Sequence, residues 1–154
     1  MFENGLALLK VVVEEIIVPD TGSTDCTIEI AARYGNVYQA EWKNNFASAR
    51  KECISYASGD WILCIDADET LTEETRKILP GFIEKQPADQ PLVFEFKIVA
   101  PFPGNDYLFA SPYYKGPLLR KGFGSSCINP VTEHLTAETL IIHKCPSRAI
   151  QQTE

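Results

Sequence analysis

The sequence holds no Cys-x-x-Cys pair and no zinc-like spacing. Its five cysteines are scattered at 26, 53, 64, 127 and 145, and its two histidines are His134 and His143. An odd, dispersed set of thiols argues against a disulfide framework and reads as free cysteine in a reducing compartment. No apolar run approaches the roughly 20 residues that cross a bilayer. The first residues lack the charged start and small-residue cleavage site of a secretory signal. Cytoplasmic, including a peripheral position at the inner face of the membrane, is the expected location.

Positive charge is also scarce. Lys and Arg number 14 against 21 Asp and Glu, a formal net charge of -7. Phosphate backbones and anionic lipid surfaces are repelled by such a chain, so nucleic acid is not an expected partner. A phosphorylated ligand needs a local offset, which a divalent cation held by carboxylates supplies. What remains is ordinary: 154 residues, 45% hydrophobic and 23% charged, suit a single globular domain.

The pattern alternates. Residues 6–13 read as the end of a helix, and Glu15 to Val18 as a short buried strand ended by Pro19-Asp20-Thr21-Gly22. Ser23 or Thr24 then caps a helix through Ile28, Ile30, Ala31 and Ala32, which Gly35 stops. Asn36 to Trp42 reads as a strand, 46–58 as a helix closed by Gly59, and Trp61 to Ile65 as a strand delivering Asp66-Ala67-Asp68-Glu69. Thr72 caps a helix from Glu73 to Glu84, which Pro80-Gly81 should break or kink. Leu92 to Val99 alternates as a longer strand with one buried face. Proline, glycine, asparagine and serine crowd 101–130, and the tail after Lys144 shows no pattern.

Strands alternating with helices predict an α/β fold, a mostly parallel sheet with helices on both faces. Ligands of such sheets bind at the carboxyl ends of the strands. Two acidic turns fall there, Asp20-Thr21-Gly22-Ser23 and Asp66-Ala67-Asp68. Close carboxylates such as Asp66 and Asp68 repel, and a Mn2+ or Mg2+ ion relieves that while recruiting diphosphate oxygens; a solvated turn is the plain alternative. Gly22 permits a tight turn, and Asp20 at the strand end can accept hydrogen bonds from a base or ribose. Glu133, in Val131-Thr132-Glu133-His134, can serve as general base to an acceptor hydroxyl, or be a surface glutamate. His143 ends a strand-like run, as a ligand reaching into a site would; a structural role explains it equally.

Taken together, EEIIVPDTGSTDCTIEIAARYG (14–35), EWKNNFASAR (41–50) and ASGDWILCIDADETL (57–71) resemble family 2 glycosyltransferases, densely over 14–75 and loosely over 107–143. The resemblance implies a GT-A (Rossmann-like) fold and inverting, metal-assisted transfer of a sugar from a nucleotide donor, usually a UDP-sugar. It places Asp20, Thr21, Gly22, Arg50 and Asp66 at the donor, with Asp66, Asp68 and His143 as ligands of Mn2+ or Mg2+. Glu133 becomes the catalytic base. Residues 1–100 form the nucleotide-sugar half, 101–145 a partial acceptor half and 146–154 a tail. The acceptor is a glycan, a lipid or a protein that the residues do not name.

Three departures accompany the resemblance. The strand normally preceding the helix at Glu3 to Val13 is missing, so the chain reads as N-terminally truncated with an exposed sheet edge, through which it can form a homo-oligomer. Thr132 replaces the usual histidine, and Leu118-Leu119-Arg120 matches only in part. An inactive remnant or nucleotide-binding interaction module is therefore one alternative. Another is a haloacid-dehalogenase-like phosphatase, whose opening motif resembles Trp61 to Leu71.

Overall fold

Leucine and isoleucine at helical spacing, punctuated by glycine and proline, set the order of elements. A computed structural model of the chain describes residues 2–90, 92–99, 114–122, 126–128, 134–136, 141–144 and 150–152. Helix α1 (Phe2–Leu9) leads to β1 (Ile17–Asp20), α2 (Thr27–Ala31), β2 (Asn36–Gln39), α3 (Phe46–Tyr56) and β3 (Trp61–Leu63). Then come β4 (Glu69–Leu71), α4 (Glu73–Ile83), β5 (Leu92–Val99) and β6 (Tyr114–Arg120). Four short strands complete the set: β7 (Ser126–Ile128), β8 (His134–Thr136), β9 (Ile141–Lys144) and β10 (Ile150–Gln152).

Helix starts follow the expected chemistry at two of three places. Asn45 caps α3, its side chain accepting from the Ser48 N–H at 3.0 Å, and Thr72 caps α4 by accepting from the Thr75 N–H at 3.3 Å. The third differs. Helix α2 begins at Thr27 rather than behind Ser23 or Thr24; Cys26 stands at its cap without a side-chain bond, and Asp25 takes the Thr27 N–H at 3.0 Å. The earlier residues are used by the loop that shapes the site. Helix α2 also stops earlier than expected, at Ala31 with Ala32 as a right-handed cap, rather than at Gly35; Gly35 is instead required at the turn into β2, because a Cβ there would lie 2.3 Å from the Ile16 carbonyl oxygen.

Helix α4 runs through Pro80 and Gly81 to Ile83 instead of breaking. Proline forfeits one hydrogen bond, but Phe82 just beyond it meets Phe94 edge-on at 4.8 Å, and partly buried Phe82 and Ile83 pack on the core. Burial of those side chains outweighs the local preference. The core itself gathers Leu71, Leu79, Leu92, Phe94 and Leu118, with Trp61 and Leu63 against it. Each fully buried leucine contributes about 1.5–3 kcal/mol.

Parallel pairing joins β1 to β2, and β5 to both β9 and β10. Antiparallel pairing joins β3 to β6, β5 to β6, β4 to β10 and β7 to β8. The larger sheet runs β3-β6-β5-β10-β4, with β9 also on β5. Strand β5 is thus central, and Leu92, Val93 and Phe94 are all buried in succession rather than alternating. Among the described residues β1 pairs only with β2, and β3 only with β6.

Candidate functional site

The carboxyl end of β1 carries Asp20, which is only 5% exposed. Its carboxylate closes the following loop, accepting the Gly22 N–H at 3.1 Å and the Ser23 N–H at 3.2 Å. Gly22 has φ +117°, a conformation that glycine tolerates and side chains resist. Hydrogen bonding from the Ser23 side chain, joined by the Gly22 and Ser23 backbone, holds the Asp20 carboxyl below the usual range despite its burial. Asp20 thus builds its own loop. An ionised carboxylate has about four acceptor sites, so capacity for a ligand remains.

Beside this loop lies an open cavity of about 310 Å³. Asp20, Thr21, Gly22 and Ser23 line one wall; Ile28 and the segment from Gln39 to Trp42 line the rest. The ladder continues one step past β2, where the Ala40 N–H donates to the Asp20 carbonyl at 2.8 Å. That bond sets Glu41 and Trp42 against the loop. The chain then reverses at Asn44, with φ 53°, a left-handed conformation that asparagine adopts more readily than most residues.

Helix α3 leads from the cavity to the second turn. Four residues after Phe46, about 6 Å along the helix, Arg50 pairs with Asp66 at 2.9 Å. On the same helix the Cys53 thiol lies 3.9 Å from the Ile17 carbonyl of β1, and burial pushes that thiol's pKa up. The helix is therefore fixed to β1 and to the acidic turn alike. The pair is part-exposed, at 21% for the Arg50 side chain and 46% for Asp66. Such pairs fix geometry more than they stabilise.

Glu69 closes the acidic turn. It is 4% exposed, and its Oε2 accepts the Asp66 N–H at 3.0 Å while its own N–H donates to the Asp66 carbonyl at 3.0 Å. Asp66, Ala67 and Asp68 are held exposed by this reciprocal pair of bonds. In the sequence Glu69 stands only as the last residue of the acidic motif; the signal for its role was an acid three residues beyond the first aspartate, the spacing of a closed turn.

Two expected residues stand apart. Glu133 lies outside the described residues. His143 falls in β9 opposite Phe94, and its side chain lies outside the description. Among the described residues there is no group of three or more His, Cys, Asp and Glu that could hold a metal. Asp66 and Asp68 nonetheless fit the way Mg2+ and Mn2+ are held with phosphates, by one or two carboxylates plus phosphate oxygens and water. Trp42 also lines the cavity without having been expected there; an aromatic just past a strand's carboxyl end was the available signal.

A strand-end loop around an aspartate, a helix bearing an arginine and a second acidic strand end are features of a GT-A (Rossmann-like) α/β fold. A family model described as glycosyl transferase family 2 matches residues 8–114, and the chain belongs to that family. A TPR repeat-containing protein of Synechococcus elongatus is 41% identical over 96 residues, spanning 61% of this chain and 22% of that one. Glycosyltransferase SunS of Bacillus subtilis is 40% identical over 65 residues, 40% of this chain and 15% of its own. An uncharacterized glycosyltransferase of Rickettsia felis is 33% identical over 92 residues, 59% of this chain and 32% of its own. The chain thus spans less than a third of each of these relatives.

Among solved structures, S. aureus TarS 1-349 is similar with a TM-score of 0.50 at 22% identity, over 70% of this chain and 35% of that one. The same protein in complex with UDP-GlcNAc gives 0.50 at 23% identity. At such identity the likeness speaks for the fold. No helix among the described residues is long and apolar enough to cross a membrane.

Proposed function

We propose that this chain binds a nucleotide-sugar donor, a UDP-sugar foremost, and transfers the sugar with inversion to an acceptor hydroxyl on a glycan, lipid or protein. The observation that carries the reading is the linkage of the Asp20 cavity to the Asp66 turn through α3 and Arg50. Family membership and the UDP-GlcNAc complex of TarS support a UDP-sugar as the first donor to test.

In this reading Asp20, Thr21 and Gly22 receive the nucleoside. Arg50 faces the diphosphate, sharing its guanidinium between donor and Asp66. Asp66 and Asp68, with His143 as a further ligand, would hold Mn2+ or Mg2+. When bound, such an ion neutralises the departing nucleoside diphosphate. Glu133 accepts the proton of the acceptor hydroxyl as that oxygen bonds the anomeric carbon. The bond from that carbon to the diphosphate oxygen breaks, and the electron pair leaves with UDP.

Base removal fixes the test. Glu133→Gln should slow UDP release in the presence of acceptor by about 10²-fold or more while leaving UDP affinity unchanged. Loss of both in the variant would assign Glu133 a structural role and contradict its use as base.

A further inference from the structure

Exposed aromatic surface is unfavourable in water, and Trp42 keeps 40% of its surface exposed beside the cavity. Phe46, the first residue of α3, meets it edge-on: centroids 4.8 Å apart, planes at 70°. Such a contact engages at most one face of the indole. The same two segments hold another aromatic pair, Tyr38 and Tyr56, stacked at 4.0 Å and 3°. That second pair already fastens β2 to α3, so Trp42 is not needed merely as their clasp.

The cavity's charge selects the part of a nucleotide it can take. Its lining includes two carboxylates, Asp20 and Glu41, and among the described residues that line it there is no lysine or arginine. Phosphate is repelled there. An uncharged ring with polar edges suits it, since Ile28, Ala40 and Trp42 supply apolar wall while Asp20 and Gln39 offer hydrogen-bonding groups. A volume of about 310 Å³ lies at the small end of ligand sites and has room for a nucleoside.

We infer that Trp42 is the stacking platform for the donor's nucleobase, with Phe46 holding the indole in place. This rests on the nucleotide-sugar reading and adds to it a residue and a division of labour. The heterocycle lies on Trp42 with its polar edge toward Asp20, and the diphosphate points out of the cavity toward Arg50. Stacking tolerates any base, so the ring contributes affinity, while the polar edge contributes selectivity.

The test titrates UDP, uridine and inorganic pyrophosphate into the wild-type chain, Trp42→Ala and Trp42→Phe, reading calorimetric affinity, tryptophan emission and melting temperature. The chain has two tryptophans, and Trp61 packs against the core, so Trp42→Phe leaves a reporter away from the cavity. UDP and uridine should quench emission in the wild type and not in Trp42→Phe, which should bind within about threefold of the wild type. Trp42→Ala should weaken UDP and uridine about tenfold or more, with pyrophosphate unchanged. Equal UDP affinity in the wild type and Trp42→Ala would overturn the platform and leave the donor site standing. Equal losses for pyrophosphate and UDP would mark Trp42 as structural and overturn it too. A folded wild-type chain that binds no UDP would sink both the platform and the reading beneath it.

Discussion

Asp20 is buried, ionised and tied to two backbone N–H groups, so one side chain shapes the loop and offers charge to the cavity. Its folded pKa lies below the ordinary carboxylate value. A depressed carboxylate stabilises the fold above its unfolded pKa and loses that contribution as pH falls through the folded one. Asp20→Asn should therefore melt below the wild type at pH 7, and the gap should narrow as pH drops below about 4. Thermal melts from pH 7 to 3 check this; a gap constant with pH would show that Asp20 acts by shape alone. The placement of Asp20 at a strand end and of Arg50 on a helix was legible in the local pattern. Glu69 and Trp42 were not, since a reciprocal turn closure and an uncovered ring face are properties of three-dimensional neighbours.

Elements were legible where local chemistry decides them. Asn45 and Thr72 cap helices by their own side chains, and Leu92–Val99 has the apolar content of a strand whatever surrounds it. Strands β4 and β10 were not, because distant partners define them: Leu71 pairs with Ile150, and Ile150 with Ile98 of β5. Pro80 does not break α4 for the same reason, as distant Phe94 packs on the helix end. Two glycines test the balance. Gly35→Ala places a Cβ 2.7 Å from that of Ile16 and 2.3 Å from its carbonyl oxygen, so it should cost about 1–3 kcal/mol. Gly81→Ala, inside α4 with nothing within 4 Å, should stabilise by about 0.5–1 kcal/mol. Melting temperatures moving in opposite directions would bear this out; a neutral Gly35→Ala would mean that β1 and the turn before β2 shift freely.

For the whole molecule, alternation predicted the α/β class, and parallel pairs appear where β-α units connect, as between Ile17–Asp20 and Asn36–Gln39. The antiparallel partners of β5 and β3 come from beyond residue 113, where proline and glycine obscure periodicity and pairing is set by distant strands. The proposed function depends on joining the two acidic turns, and α3 spans them: Cys53 to β1, Arg50 to Asp66. In the proposed function the donor site spans both turns. A thermal-shift titration with UDP, GDP and ADP, with and without Mn2+, on the wild type and Asp68→Asn addresses it directly. At a hundredfold excess over its dissociation constant, a ligand stabilises by about 2.7 kcal/mol, several degrees for a chain of this size. Such a rise should appear with UDP, depend on Mn2+ and be lost in Asp68→Asn. A folded chain that no nucleotide stabilises, or an equal Mn2+-dependent rise in the variant, would contradict it.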